Sequence, residues 1–188
     1  MTFVLMLASC ANMPPSTQLP TMSWSTHQTQ LMQLTTWQLK AAMAIHTPTK
    51  SGMVMLFWQQ HFQNYKARVT GPLGVGGIQI SGRKGQVTLW KSATQKISAT
   101  TPEALMHQEL GWALPISDLY YWVRGIPVPK IPAKIQTNSQ GLLTNLQQAG
   151  WNIQYKDYQT VNNMELPKQL LLTNQQLQIK TVITHWEI

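Results

Sequence analysis

The stretch "WQLKAAMAIHTPTKSGMVMLFWQQHFQNYKARVT", Trp37 to Thr70, decides the fold. It contains three runs of strand-forming residues, separated by "PTKSG" at Pro48–Gly52 and by a break around Gln63-Asn64. Runs rich in β-branched and aromatic residues, punctuated by Gly, Pro and Asn, predict consecutive strands joined by tight turns. Met53 to Trp58 is apolar at every position, which predicts a strand sandwiched between the core and a covering helix.

The same pattern continues outward from this stretch. Upstream, "STHQTQLMQLTTW" places Leu31, Leu34 and Trp37 at helical spacing, with Ser25 as a candidate cap, and predicts a short amphipathic helix. Downstream, "VGGIQISG", "GQVTLWK" and "QKISAT" extend the strand series. Pro102 then opens a helix in "PEALMHQELGW", and a second helix, "ISDLYYWVRG", starts at Ser117 or Asp118 and stops at Gly125. The proline-spaced "IPVPKIPAKI" cannot be a central strand before Lys130. Two hairpins close the chain: one turns at Ala149-Gly150, and the other, near Asn174-Gln175, aligns Leu177, Ile179 and Thr181. About eleven strands in sequence-adjacent hairpins predict a meandering antiparallel sheet that has to curl. The expected fold is mainly β (α+β): a curled, incompletely closed antiparallel barrel with a helical lid over an apolar cavity.

Composition narrows the function. The 188 residues include 43% hydrophobic residues and suffice for one domain with a substantial core. Eight tryptophans point to an aromatic core or an internal apolar cavity. The net charge of +8 arises because Asp and Glu number only 6 against 14 Lys and Arg. These bases are scattered, with Arg83-Lys84 the longest cluster, so nucleic acid is not an expected partner. An anionic membrane surface or an acidic partner fits the charge.

The first residues, "MTFVLMLASC", form an apolar run ending in Leu7-Ala8-Ser9-Cys10. Small residues before a cysteine, at the end of such a run, match a lipoprotein signal in which the thiol accepts a diacylglycerol. No Lys or Arg precedes Cys10 and the run is short, and an upstream start codon would supply both features. The expected organisation is a signal peptide over 1–9, possibly N-terminally truncated, a lipidated tether over 10–24, and one domain over 25–188. Cys10 is the expected lipidation site. Ala11, in place of Asp, favours sorting to the outer membrane. No later run approaches the ~20 apolar residues of a spanning helix, so the expected body is soluble and tethered.

Catalytic constellations are scarce. The five histidines lack metal-site spacing, and no Gly-x-Ser-x-Gly elbow occurs. Gly71 and Gly76 have a phosphate-loop gap, but Gly77-Ile78 stands where Lys and Ser/Thr are required. The expectation is a protein that is no enzyme and has no metal or cofactor.

Against this background the chain resembles the outer-membrane lipoprotein receptor family LolB. The resemblance rests on Trp37 and its strand, "FWQQ" at Phe57–Gln60, "GPLG" at Gly71–Gly74 and "LPISDLYYWVRGIP" at Leu114–Pro127. It continues through Gly150-Trp151 with Ile153, Tyr155 and Tyr158, then Leu166-Pro167 and the closing "LQIKTVITHW". The resemblance implies a receptor, facing the periplasm from the outer membrane, that takes cargo acyl chains from the periplasmic carrier LolA. It inserts the cargo into outer-membrane phospholipid, works as a monomer and performs no covalent chemistry. It further implies that Leu73, flanked by Pro72 and Gly74, protrudes and drives that insertion. Met55, Phe57, Trp58, Ile78, Ile80 and Trp122 are candidate residues of the acyl-chain cavity. A generic outer-membrane lipoprotein for another apolar ligand is the alternative.

Overall fold

A computed structural model describes residues 23–74, 77–83, 85–92, 94–110 and 115–188. Cys10, the signal segment and the tether up to residue 22 lie outside the described residues. Helix α1 spans Trp24–Gln33, followed by strands β1 (Thr36–His46), β2 (Ser51–His61) and β3 (Asn64–Thr70). A single 3-10 turn, Pro72–Gly74, leads to β4 (Ile78–Arg83), β5 (Gln86–Trp90) and β6 (Lys96–Ala99). Helices α2 (Pro102–Leu110) and α3 (Ile116–Trp122) come next. The chain closes with β7 (Ala133–Thr137), β8 (Leu143–Gln148), β9 (Trp151–Val161), β10 (Met164–Thr173) and β11 (Gln178–Glu187).

All eleven strands join one antiparallel sheet in the order β6-β5-β4-β3-β2-β1-β11-β10-β9-β8-β7. β1 pairs with both β2 and β11, while β6 and β7 are edges, so the sheet curls without closing. The connection between those edges is made by α2 and α3, as the interrupted strand series predicts. Bulges after Lys40 in β1 and around Pro167–Gln169 in β10 bend the strands near the middle of the sheet.

Alternation sorts the side chains. On β1, Trp37, Leu39, Ala41 and Met43 are buried on the concave face, while Gln38 and Lys40 point outward. Trp37 is the hub of the concave face, with ring centroids 5.4 Å from Trp58, 5.4 Å from Trp186 and 6.2 Å from Tyr120 of α3. These contacts hold α3 inside the bowl, and each buried aromatic pair adds about 1 kcal/mol to its area burial.

A polar network fixes the helices against the sheet. Arg124, 1% exposed, donates from its guanidinium to the carbonyls of Leu31 (2.9 Å), Leu34 (2.7 Å) and Tyr120 (2.9 Å), and stacks 4.0 Å above the Tyr120 ring. It thus supplies donors to the C-terminal carbonyls of α1, which a helix leaves unpaired. Gln148, also buried, accepts from Trp122 Nε1 and the Val128 N–H and donates to the carbonyls of Val128 and Ile131. This clamps the proline-spaced segment onto β8. α3 has no side-chain cap of its own; the Ser117 N–H donates to Glu103 of α2 at 2.9 Å.

Three local expectations are corrected. Ser23, not Ser25, caps α1, because its hydroxyl accepts from the Thr26 N–H. Neither Ser117 nor Asp118 caps α3 by its side chain, since Glu103 satisfies that end. β2 is not sandwiched: the outward Met53 is 62% exposed and Met55 is 41% exposed.

Arg124→Ala removes three hydrogen bonds from a charged donor, two of them to the part-buried carbonyls of Leu34 and Tyr120. The change should cost about 3 kcal/mol, read as a lower urea midpoint with an unchanged m-value. His27 of α1 is buried, donates from Nε2 to the Glu165 carbonyl, and has its pKa lowered below 6.5, chiefly by burial. A lowered folded pKa favours the neutral ring, so its contribution is complete above pH 6.5 and is lost as pH falls from there through the folded value. His27→Gln should flatten that slope in melting temperature against pH.

Candidate functional site

The concave face holds a cavity of about 740 Å³ between α3, the start of α2 and strands β2, β3 and β5. Its apolar wall includes Trp58, Tyr65, Val87, Ile116, Tyr120 and Tyr121, and its polar rim includes Gln60, Gln86 and Arg83. That volume falls in the range of pockets that enclose small apolar ligands. Phe62, 58% exposed, stands at the rim, at the end of the sheet where β2 turns into β3.

The Tyr65 ring lies across Gly82, its partner on β4, so closely that any Cβ there would collide with it. The Tyr65 hydroxyl is buried without a hydrogen-bond partner among the described residues. Burial, helped by the nearby Glu103 charge, raises its pKa far above the ordinary value, so the hydroxyl stays protonated. The cavity therefore presents aromatic surface, and the neutral Tyr65 hydroxyl is buried in its wall. Among the described residues no group of three or more His, Cys, Asp or Glu is placed to hold a metal ion.

Of the six residues named as cavity candidates, Trp58 borders this space. Ile80 and Trp122 are fully buried in the core, and Ile78 packs against it. Met55 and Phe57 are corrected: they alternate with Leu56 and Trp58 and so lie on the outer face of β2. An all-apolar strand hides which of its faces is inward, and that ambiguity produced the error. Tyr65, Val87, Ile116, Tyr120 and Tyr121 were missed as lining residues. Val87 and Leu89 showed the alternation that marks an inward face, but the depth of α3 in the bowl leaves no local signal.

The second feature lies at the opposite end of the sheet. β3 runs from Asn64, beside the cavity rim, to Thr70, and the turn Pro72–Gly74 follows. Seven residues of strand separate the two by about 20 Å. In the turn, the Gly74 N–H donates to the Gly71 carbonyl at 3.1 Å. Leu73 adopts φ 62° and Gly74 φ 75°, a left-handed pair that swings the leucine side chain outward. Leu73 is 99% exposed, the most exposed of the large hydrophobic residues among those described. A left-handed leucine carries roughly 1–2 kcal/mol of backbone strain, and in this chain it gains no packing in return.

Comparisons with known proteins give the family and the fold. The family profile "Outer membrane lipoprotein LolB" matches residues 35–186. Outer-membrane lipoprotein LolB of Coxiella burnetii is 42% identical over 166 residues, covering 88% of this chain and 78% of that protein. Its namesake from Pseudomonas paraeruginosa is 40% identical over 165 residues, covering 88% and 80%. Among solved structures, a LolA superfamily protein from Nitrosomonas europaea shares the fold with a TM-score of 0.57 at 9% identity, covering 89% of this chain and 94% of that one. A DUF1329 family protein from Desulfovibrio piger superposes with a TM-score of 0.60 at 9% identity, covering 87% and 90%.

Two variants test these assignments by stability alone. Tyr65→Phe removes a buried unpaired hydroxyl and should stabilise the fold by about 1 kcal/mol. Leu73→Gly trades strain relief against unfolded-state entropy, so its melting temperature should match the parent's. A melting temperature several degrees lower would show that Leu73 packs against the body.

Proposed function

Because the chain belongs to the LolB family of outer-membrane lipoproteins, we propose that it is a receptor that accepts lipoproteins from the carrier LolA and inserts them into the outer membrane. Its relatives are named as outer-membrane lipoproteins LolB, which supports an outer-membrane location and this receptor role. In this reading the aromatic cavity receives the acyl chains of the cargo through the rim at Phe62. Acyl chains leave water at roughly 0.8 kcal/mol per methylene, so they pass only between apolar enclosures. Transfer then requires greater affinity in the receptor than in the carrier, and no bond is made or broken. Cys10 carries the lipid that tethers the body on the periplasmic side.

The observation that carries the proposal is Leu73. A fully exposed leucine, held outward at the cost of backbone strain, gains about 1.5–3 kcal/mol when it enters a bilayer. That is too little to anchor a protein and sufficient to orient one already tethered. Pro72 presets the turn and Gly74 accepts its left-handed backbone without strain.

The test loads the carrier with radiolabelled lipoprotein, adds this protein, and follows cargo first onto the protein and then into liposomes. Leu73→Glu should accept cargo as the parent does and lose insertion by tenfold or more, since a carboxylate does not enter the bilayer. Absence of cargo uptake by the parent protein would refute the receptor role. Uptake with undiminished insertion in the variant would refute the role of Leu73.

A further inference from the structure

Strand register places the outward side chains of the sheet in rows, and these rows change character around Leu73. Across β2, β1 and β11, Met55 stands opposite Ala42, and Ala42 opposite Val182; Met53 stands opposite Ala44 in the next row. Met53 is 62%, Met55 41% and Val182 40% exposed. Met55 also pairs with Thr70, the residue that leads into the Leu73 turn. Met53, Met55, Ala42 and Val182 therefore make one apolar patch on the outer face, and Thr70 connects that patch along the chain to the Leu73 turn.

Bases ring that patch. On one side, a row across six strands runs through Lys40, Phe57, Arg68, Gln79, Trp90 and Lys96. The Lys96 ammonium sits 5.4 Å from the Trp90 ring centroid. On the other side, Lys180 pairs with Ala44, and Lys50 is exposed in the β1–β2 turn. Between Arg68, Trp90 and the Leu73 turn lies a groove of about 520 Å³. Farther from Leu73, the outward row becomes Gln38, Gln59, Lys66, Ser81 and Thr88, where Gln59 donates to Gln38 at 3.0 Å. Of the acids on this outer face, Glu187 stands opposite Gln38 in that distant row, and Asp157, ion-paired with Lys168 at 3.2 Å, stands two strands beyond Val182, opposite Gln169.

We propose that this face of the sheet, from the β1–β2–β11 patch to the Arg68–Trp90–Lys96 row, is a docking surface for anionic phospholipid headgroups. It would lay the receptor obliquely on the bilayer beside Leu73. The inference rests on the receptor reading above and extends it from one leucine to a face and a lipid class. An apolar patch bordered by bases and a tryptophan is the chemistry of an interfacial membrane contact: methionines enter the acyl boundary, indole sits at headgroup level, and bases meet phosphates. Charge complementarity selects the occupant: Lys40, Lys50, Arg68, Lys96 and Lys180 border the patch, and the acid nearest it along its own row, Asp157, is neutralised by Lys168. A polar tip at His46, Lys50 and Ser51 keeps the contact oblique rather than end-on.

The experiment uses the full chain with Cys10→Ala, which removes the anchor and leaves no cysteine. Single cysteines replace Met53, Leu73 or Ser81, each labelled with an environment-sensitive fluorophore. Labelled protein is titrated with phosphatidylcholine vesicles, with and without phosphatidylglycerol. Probes at 53 and 73 should shift to the blue and be quenched by brominated lipid, only with phosphatidylglycerol, while the probe at 81 stays aqueous. Arg68→Gln and Lys96→Gln should each weaken partitioning about fivefold, and Met53→Gln/Met55→Gln should weaken it without altering the salt dependence. Cargo uptake from the carrier is measured on the same samples. Uptake with a probe at 53 that stays in water, or with binding indifferent to phosphatidylglycerol, overturns the docking face alone. Burial of the probe at 53 by self-association without vesicles assigns the patch to a second copy and also overturns it. Loss of uptake in the parent overturns the receptor reading instead.

Discussion

An eleven-stranded sheet whose edge strands never meet has to bury its concave face against something other than itself. The rest of the structure depends on that constraint. The chain meets it by sending α2 and α3 from one edge to the other across the opening, with α3 seated on the Trp37 cluster. The surroundings pair the backbone ends of helix α3, with Glu103 accepting from the Ser117 N–H at its start and Tyr155 donating to the Trp122 carbonyl near its end, while Gln148 accepts from the Trp122 indole N–H. Arg124 then ties the same region to the end of α1. These contacts hold the helix deep in the bowl on the β7–β9 side and leave space on the β2–β5 side. The cavity is the space an open sheet does not fill.

Much of this architecture was legible in the chain itself. Alternation along β5, β9 and β11, the tight turns between hairpins and the two proline-opened helices are local signals, and local physics made each element. The family resemblance was equally legible, because short motifs such as Gly71–Gly74 and Leu114–Pro127 keep their order along most of the chain. What remained hidden depends on long-range placement. Met55 and Phe57 could not be assigned to a face, because β2 is apolar on both sides and only its pairing with β1 and β3 decides. Tyr65 belongs to the cavity because Gly82, seventeen residues later, lets its ring lie flat. Arg124 resembles any surface arginine until three carbonyls 90 residues and more upstream, or one turn back, are seen converging on it.

The proposed function assigns the molecule two working ends joined by β3. At one end Phe62 marks the rim of an aromatic cavity; at the other, Leu73 projects beside exposed methionines. Strain supports this division. Of the six non-glycine residues with positive φ among the described residues, Phe62 and Leu73 are large apolar groups held outward in turns. A fold selected for stability alone would place Asn or Gly there, as it does at Asn162 and Asn163 in the β9–β10 turn. Under the proposed function, acyl chains entering at the Phe62 rim lie one strand length from the turn that meets the membrane, so cargo and target stay apart until transfer.

Site-specific photo-crosslinking in living cells tests this division of labour most directly. A photoreactive phenylalanine analogue replaces Phe62 in one variant and Leu73 in another, and the adducts are identified. The account predicts carrier and cargo adducts from position 62 and phospholipid adducts from position 73. Carrier adducts from position 73, or phospholipid adducts from position 62, would contradict it.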